Sequence, residues 1–189
     1  MTEAEAIDLC RAGNPNGLKV LFDLHHEKVF RLSWRILGTP QDAEDAVQEV
    51  YLKVFRTVSQ WRGDSAFSTW LYRMTSNHCL DVLRRKKVVS FSSLEKRDGE
   101  GMAFDPPDPT DRTGQGGRGL GPEVDRALAA LPPAQRACLL MREMEELPYE
   151  DIAQALRMQL GTVKSNIHRA KATLKAKLEK SGFTPEDFR

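Results

Sequence analysis

Along two stretches of this chain apolar residues return every three or four positions, and between those stretches they almost vanish. In "DAEDAVQEVYLKVFRTV", Ala43, Val47, Val50, Val54 and Val58 share one side of a 3.6-residue repeat. "AQRACLLMREMEEL" repeats in the same way. No run of alternating β-branched residues competes with this period, so the fold class is all-α. The pattern predicts helices over 3–12, 16–37, 40–59 and 66–87, then over 123–131, 134–146, 149–156 and 161–178. "GTPQDAEDAV" carries a start signal: Thr39 as N-cap, Pro40 at the first position, Asp42 and Glu44 in line with the helix dipole.

The gap falls at "DGEGMAFDPPDPTDRTGQGGRGLGP", residues 98–122, which holds 7 of the 13 Gly and 4 of the 10 Pro. Its apolar residues are Met102, Ala103, Phe104 and Leu120, too few to offset the entropy of ordering it. The expected organisation is two small helical domains, 1–95 and 123–180, joined by a flexible linker over 96–122 and followed by a tail over 181–189. Gly114, Gly116 and Gly119 match G-x-G-x-x-G, but neither the strand nor the helix that a dinucleotide site needs flanks them.

Composition narrows the class without choosing a partner. The chain has 189 residues, is 40% hydrophobic and 29% charged, and carries a net charge of only +1. Any basic surface must therefore be local and balanced elsewhere. The N-terminus "MTEAEAIDLC" lacks the cationic start and apolar core of a signal peptide, and no apolar run approaches a membrane span. Cys10, Cys79 and Cys138 are odd in number and far apart, which points to a cytoplasmic protein with reduced thiols. No nucleophile–base pair, phosphate loop or Cys/His cluster stands out, so neither an enzyme nor a metal or cofactor site is expected.

Local charge does appear near the C-terminus. In "YEDIAQALRMQLGTVKSNIHRAKATLKAKL", Val163, Ile167, Ala170, Leu174 and Leu178 form one apolar stripe. From Gly161 to Lys180 six Lys or Arg stand against Glu179, a local charge of +5. The helix before it turns Ile152, Ala153 and Leu156 inward, and a few residues separate the two. That is the spacing of a helix-turn-helix, whose second helix enters the DNA major groove by its N-terminal end. Thr162, Ser165 and Asn166 are short enough to reach base edges, while Lys164, His168, Arg169 and Lys171 lie around them on the polar surface.

Three further features lie in the first domain. Opposite the stripe of helix 40–59 are Asp45, Glu49, Leu52 and Arg56, with Gln48 beside them. A Leu inside a charged face suits a protein contact. On helix 66–87 the expected core stripe is Phe67, Trp70, Leu71, Met74, His78 and Val82. A second line, Arg73, Asn77, Asp81 and Arg84, leads into Arg85, Lys86 and Lys87. Asp81 pairing with Arg84 or Arg85 would make it a plain charged face, and nucleic-acid contact is the sharper reading. The loop "SQWRGDSAF" offers Arg62, a tight turn at Gly63, and hydrogen-bonding groups at Asp64 and Ser65. Trp61 either stacks a base or plugs the loop.

Taken in order, "DAEDAVQEVYLKVFRTV", "RGDSAFSTWLYRMTSNHCLDVLRRKK", "LPPAQRACLLMREMEELPYEDIAQAL" and "GTVKSNIHRAKATLKAKL" resemble a sigma-70 family factor of the small extracytoplasmic-function (ECF) type. The resemblance covers residues 17–95 and 123–178. It implies a subunit that joins RNA polymerase core, recognises −10 and −35 promoter elements and opens the DNA. It assigns the Asp45–Arg56 face to the clamp helices of the largest polymerase subunit. It assigns the loop at Arg62–Ser65 to a base flipped from the non-template strand, and Arg73, Asn77 and Arg84 to Lys87 to the rest of the −10 element. The helix-turn-helix falls to the −35 element, with the flap of the second-largest subunit and an anti-sigma factor as further partners, and no membrane insertion. Three positions depart from the family pattern. Arg157 stands where the turn usually has Gly, so either it is left-handed or the turn is rearranged. Asn166 replaces a commonly basic residue, and Pro148 replaces a capping Ser. A free-standing helix-turn-helix regulator is the alternative.

Overall fold

A computed structural model describes residues 1–94 and 121–182, without the side chains of 87–94 and of Pro122. The expected linker therefore lies outside the described residues, apart from Gly121 and Pro122, as does the tail beyond Gly182. Among the described residues the regular structure is entirely helical. The chain divides into two compact units, Met1–Asp81 and Val82–Arg189.

In the first unit α1 (Glu3–Arg11) opens with a capping box, Thr2 and Glu5 each bonding the other's backbone. Asn14 caps α2 (Pro15–Leu37), and Gly38 ends it at a positive φ of 94°. Thr39 then caps α3 (Pro40–Thr57) by accepting from the Asp42 amide, with Pro40 at the first position as expected. A short 3-10 turn, Val58–Gln60, follows α3. α4 runs from Phe67 to Leu94, well past the expected end at 87, because no Gly or Pro interrupts it.

The core of this unit follows from the stripes. Leu21, Val29, Leu32 and Ile36 of α2 are buried with Ala43, Val47, Val50, Val54 and Val58. Burying each Val or Leu side chain contributes about 1.5–3 kcal/mol. α4 departs from expectation. Its buried residues include Leu71, Tyr72, Thr75, Ser76, Cys79 and Leu80, while Trp70, Met74, His78 and Val82 are only half-buried. The inward face is thus rotated toward small residues. Thr75 tolerates burial because its hydroxyl donates to the Leu71 carbonyl one turn back, at 2.9 Å. Burial pushes the Cys79 thiol up to about 12, and it raises Cys10 as well.

α1 crosses α2 very closely. A Cβ on Gly17 would sit 2.4 Å from the Ala6 carbonyl oxygen, so only glycine permits this approach. His25 Nε2 lies 2.6 Å from Glu3 Oε1 and ties the same two helices together.

The second unit holds α5 (Pro122–Ala129), α6 (Pro133–Glu143), α7 (Tyr149–Leu156) and α8 (Leu160–Lys180). Leu140, Met141, Ile152, Val163, Ile167 and Ala170 form its centre. Arg136 is buried, and its Nη2 donates to the carbonyls of Ala129 and Leu131 at 2.9 and 3.0 Å, closing the end of α5. Burial lowers its pKa to about 10, which leaves it cationic at neutral pH. α6 stops three residues before the expected 146. Glu146 takes a positive φ of 53°, and the Leu147 amide turns back to the Met141 carbonyl at 3.1 Å.

Candidate nucleic-acid interface

The α7–α8 pair is built around one awkward residue. Arg157 is left-handed, with φ 52° and ψ 46°, so of the two readings open in the sequence the turn keeps its geometry and the side chain bears the strain. The Met158 amide closes the turn on the Ala153 carbonyl at 2.9 Å. Pro148 gives α7 no side-chain cap, as its residue type dictates. α8 then buries Val163, Ile167, Ala170 and Leu178 against the unit and turns its other sides outward.

On that outer surface Thr162, Lys164, His168, Arg169 and Lys171 are exposed, and Ser165 is half-buried. The Ser165 hydroxyl donates to the Thr162 carbonyl at 2.9 Å. Asn166 is likewise half-buried. Its amide lies 3.8 Å from Met158 Sδ and 4.0 Å from Cys138 Sγ, facing the turn and α6. Burial takes the Cys138 thiol up to about 11, against a smaller lowering by Asn166. Lys171 Nζ lies 2.9 Å from Glu143 Oε1. With both side chains about half exposed the pair is worth under about 1 kcal/mol, so a phosphate can displace it.

In the first unit the charged face of α3 is as the stripe predicts. Asp45, Gln48, Glu49 and Arg56 are exposed, and Leu52 stands out at 47% exposure. The loop between the 3-10 turn and α4 presents Arg62, Gly63 and Asp64 to solvent, with Ser65 half-buried. Gly63 has a φ of 82° and open space around it, so glycine serves the turn there rather than a close approach. Trp61 is the plug of this loop. Its ring meets Phe67 edge-on, centroids 5.7 Å apart and planes at 83°. Sequence reasoning missed what else holds it. Arg11 Nη2 donates to the Trp61 carbonyl at 2.8 Å, and its guanidinium lies 5.4 Å from the ring centroid. A single Arg at the end of a short helix gives no signal of this in sequence.

Along α4, Arg73 and Asn77 are half-buried, whereas Arg84, Arg85 and Lys86 are exposed. Lys87 lies outside the described side chains. Asn77, Arg84, Arg85 and Lys86 all have interactions within the chain.

The described residues are thus helical, with an exposed basic helix-turn-helix in one unit and a glycine-turned loop and a charged α3 face in the other, surfaces of the kind that meet nucleic acid and protein. Comparison with known proteins makes this specific. Residues 21–88 match the model of sigma-70 region 2, and residues 122–174 match sigma-70, region 4. The chain is 36% identical over 173 residues to the ECF RNA polymerase sigma factor SigM of Mycobacterium tuberculosis, covering 92% of this chain and 83% of that one. It is also 36% identical over 156 residues to the ECF RNA polymerase sigma factor SigE of Mycolicibacterium smegmatis, covering 82% of this chain but only 59% of the relative's length. The chain belongs to the ECF sigma factors of the sigma-70 family. In fold it resembles the sigma factor RpoE of Bartonella quintana, solved in complex with the anti-sigma factor NepR, with a TM-score of 0.64 at 22% identity over 85% of this chain and 96% of that one. CnrH, solved with the cytosolic domain of CnrY, gives 0.62 at 17% identity over 93% and 96%.

Proposed function

We propose that the chain joins RNA polymerase core, directs it to promoters through −10 and −35 elements, and promotes strand opening. The catalytic chemistry belongs to the polymerase and not to this chain. In this reading residues 1–95 serve core binding and the −10 element, residues 123–180 serve the −35 element, and 96–122 tether the two. The observation that carries it is the presence in one chain of both sigma-70 regions, each with its expected surface outward: Leu52 within Asp45, Glu49 and Arg56 on α3, and the basic side of α8.

The roles follow from chemistry. Leu52 is an apolar anchor with a charged rim, the form of a protein contact that must also come apart, and the polymerase clamp helices are its proposed partner. Flipping a promoter base costs a few kcal/mol, which a pocket must return through stacking and hydrogen bonds. Arg62, Asp64, Ser65 and the amides near Gly63 supply those bonds, and Arg73, Asn77 and Arg84 to Lys87 continue the contact. On α8, Thr162 and Ser165 read base edges, Lys164, Arg169 and Lys171 neutralise phosphates, and His168 offers a hydrogen bond beside them. Asn166 supports the turn behind them. Among the described residues no helix is long and apolar enough to cross a membrane. A cytoplasmic protein held inactive by an anti-sigma factor is the proposed setting, in keeping with the relatives solved in such complexes.

The contact face gives the direct test. Leu52→Asp with Glu49→Lys should abolish co-purification with core polymerase and leave the helical circular dichroism unchanged. Full retention on core with both substitutions would show the α3 face to be merely solvated.

A further inference from the structure

α1 precedes the stretch matched to sigma-70 region 2, which begins at residue 21, and no role for it follows from that match. Yet its last residue reaches across the unit to the start of the loop. Arg11 makes two contacts with one residue, a hydrogen bond from Nη2 to the Trp61 carbonyl at 2.8 Å and a cation–π contact at 5.4 Å from the Trp61 ring. A second partner orients it, because Arg11 Nη1 lies 3.2 Å from Asp8 Oδ1 on the preceding turn. We infer that Arg11 is a positioning residue for the promoter-reading loop, holding Trp61 so that Arg62, Asp64 and Ser65 are presented in one geometry.

The peptide joining Trp61 to Arg62 is planar, so fixing the Trp61 carbonyl also fixes the direction of the Arg62 amide. That amide is the first donor of the loop. Trp61 Nε1 is buried without a hydrogen-bond partner, so the indole polar group does not orient the ring. Packing does, against both Arg11 and Phe67. Phe67 opens α4, and its ring centroid lies 5.6 Å from that of His25, which itself pairs with Glu3 of α1. Both ends of the loop are thereby referred to α1. The approach depends on Gly17, since a side chain there would drive into the Ala6 carbonyl and push α1 away.

The inference rests on the loop's proposed role in the −10 element, and the experiment separates the two. The probe is a fluorescent single-stranded oligonucleotide carrying the non-template −10 sequence of a promoter selected from a random library by wild-type holoenzyme. Binding to reconstituted holoenzyme is measured well below the melting midpoint of every variant, so that changes in stability do not enter. Arg11→Ala should weaken binding roughly tenfold, the size expected from losing a charge-assisted hydrogen bond. It should leave affinity for core polymerase unchanged. Arg11→Lys, which keeps a cationic donor but not the flat fork, should recover part of the loss. Wild-type binding by Arg11→Ala, alongside a loss in Arg62→Ala, would overturn the positioning role and leave the loop reading intact. Wild-type binding by both variants would remove the loop reading and this inference with it.

Discussion

Gly17 and Arg157 are two residues whose backbone conditions are the reverse of what their types favour. Gly17 sits inside a helix, where it costs about 1 kcal/mol relative to Ala, and it is retained because α1 lies against its Cα. Gly17→Ala should therefore destabilise the protein by roughly 1–3 kcal/mol, the usual cost of overpacking, despite the better helix former. Urea unfolding followed at 222 nm would read this, and a gain in stability would mean that α1 does not pack as described. Nothing in the sequence marks Gly17, because a close crossing is a property of two helices. Arg157 was half legible. Its place in the turn flagged a conflict but could not say whether the residue or the turn would give way. Relief of a left-handed side chain is worth roughly 1–2 kcal/mol, and the extra freedom of an unfolded glycine takes back about 0.4–1. Arg157→Gly should raise stability by up to about 1.6 kcal/mol, with an unchanged denaturant slope. A clear loss would mean that the Arg157 side chain makes a contact worth more than its strain.

At the scale of the element, legibility depended on whether apolar type and burial coincide. On α3 they do, and Ala43 through Val58 are buried as the repeat requires. On α4 they do not. Thr75 and Ser76 are buried although polar by type, while Met74 and His78, which the repeat put in the core, sit at its margin. The Thr75 hydroxyl, bonded to the Leu71 carbonyl of its own helix, costs little to bury, and hydropathy patterns cannot register that, whereas the Ser76 hydroxyl is buried without such a partner. α8 shows the same limit at a single position. Its apolar stripe and its basic surface were readable, but the spacing that makes Asn166 a candidate base reader does not reveal the sulfurs beside it. The neighbouring sulfurs of Met158 and Cys138 come from elsewhere in the fold. The consequence is measurable in transcription from a library of −35 sequences. Arg169→Ala should weaken all promoters alike and reduce the salt dependence, as loss of a phosphate contact does. Ser165→Ala should reorder the preferred −35 bases, and Asn166→Ala should keep their order. A reordering by Asn166→Ala would return that residue to the reading surface.

For the whole molecule, the gap in the hydrophobic pattern marks two helical bodies, and the order of motifs marks the family. What the sequence could not carry was the set of contacts that join distant segments, such as Arg11 to Trp61. Function at this scale follows from weak parts used together. Among the described residues there is one helix-turn-helix, and the net charge of +1 gives little general attraction to DNA. In the proposed arrangement each DNA-reading unit alone bears its own cost of ordering, and docking on polymerase core holds both at promoter spacing. A free-standing regulator would instead bind its site unaided, as a dimer on neighbouring half-sites. Permanganate probing of a library-selected promoter with the full-length chain, with and without core polymerase, separates these most directly. The account predicts weak or undetectable duplex binding by the free chain at physiological salt, and reactive thymines around the −10 element only when core is added. Tight, specific binding by the free chain, with no opening on addition of core, would contradict it.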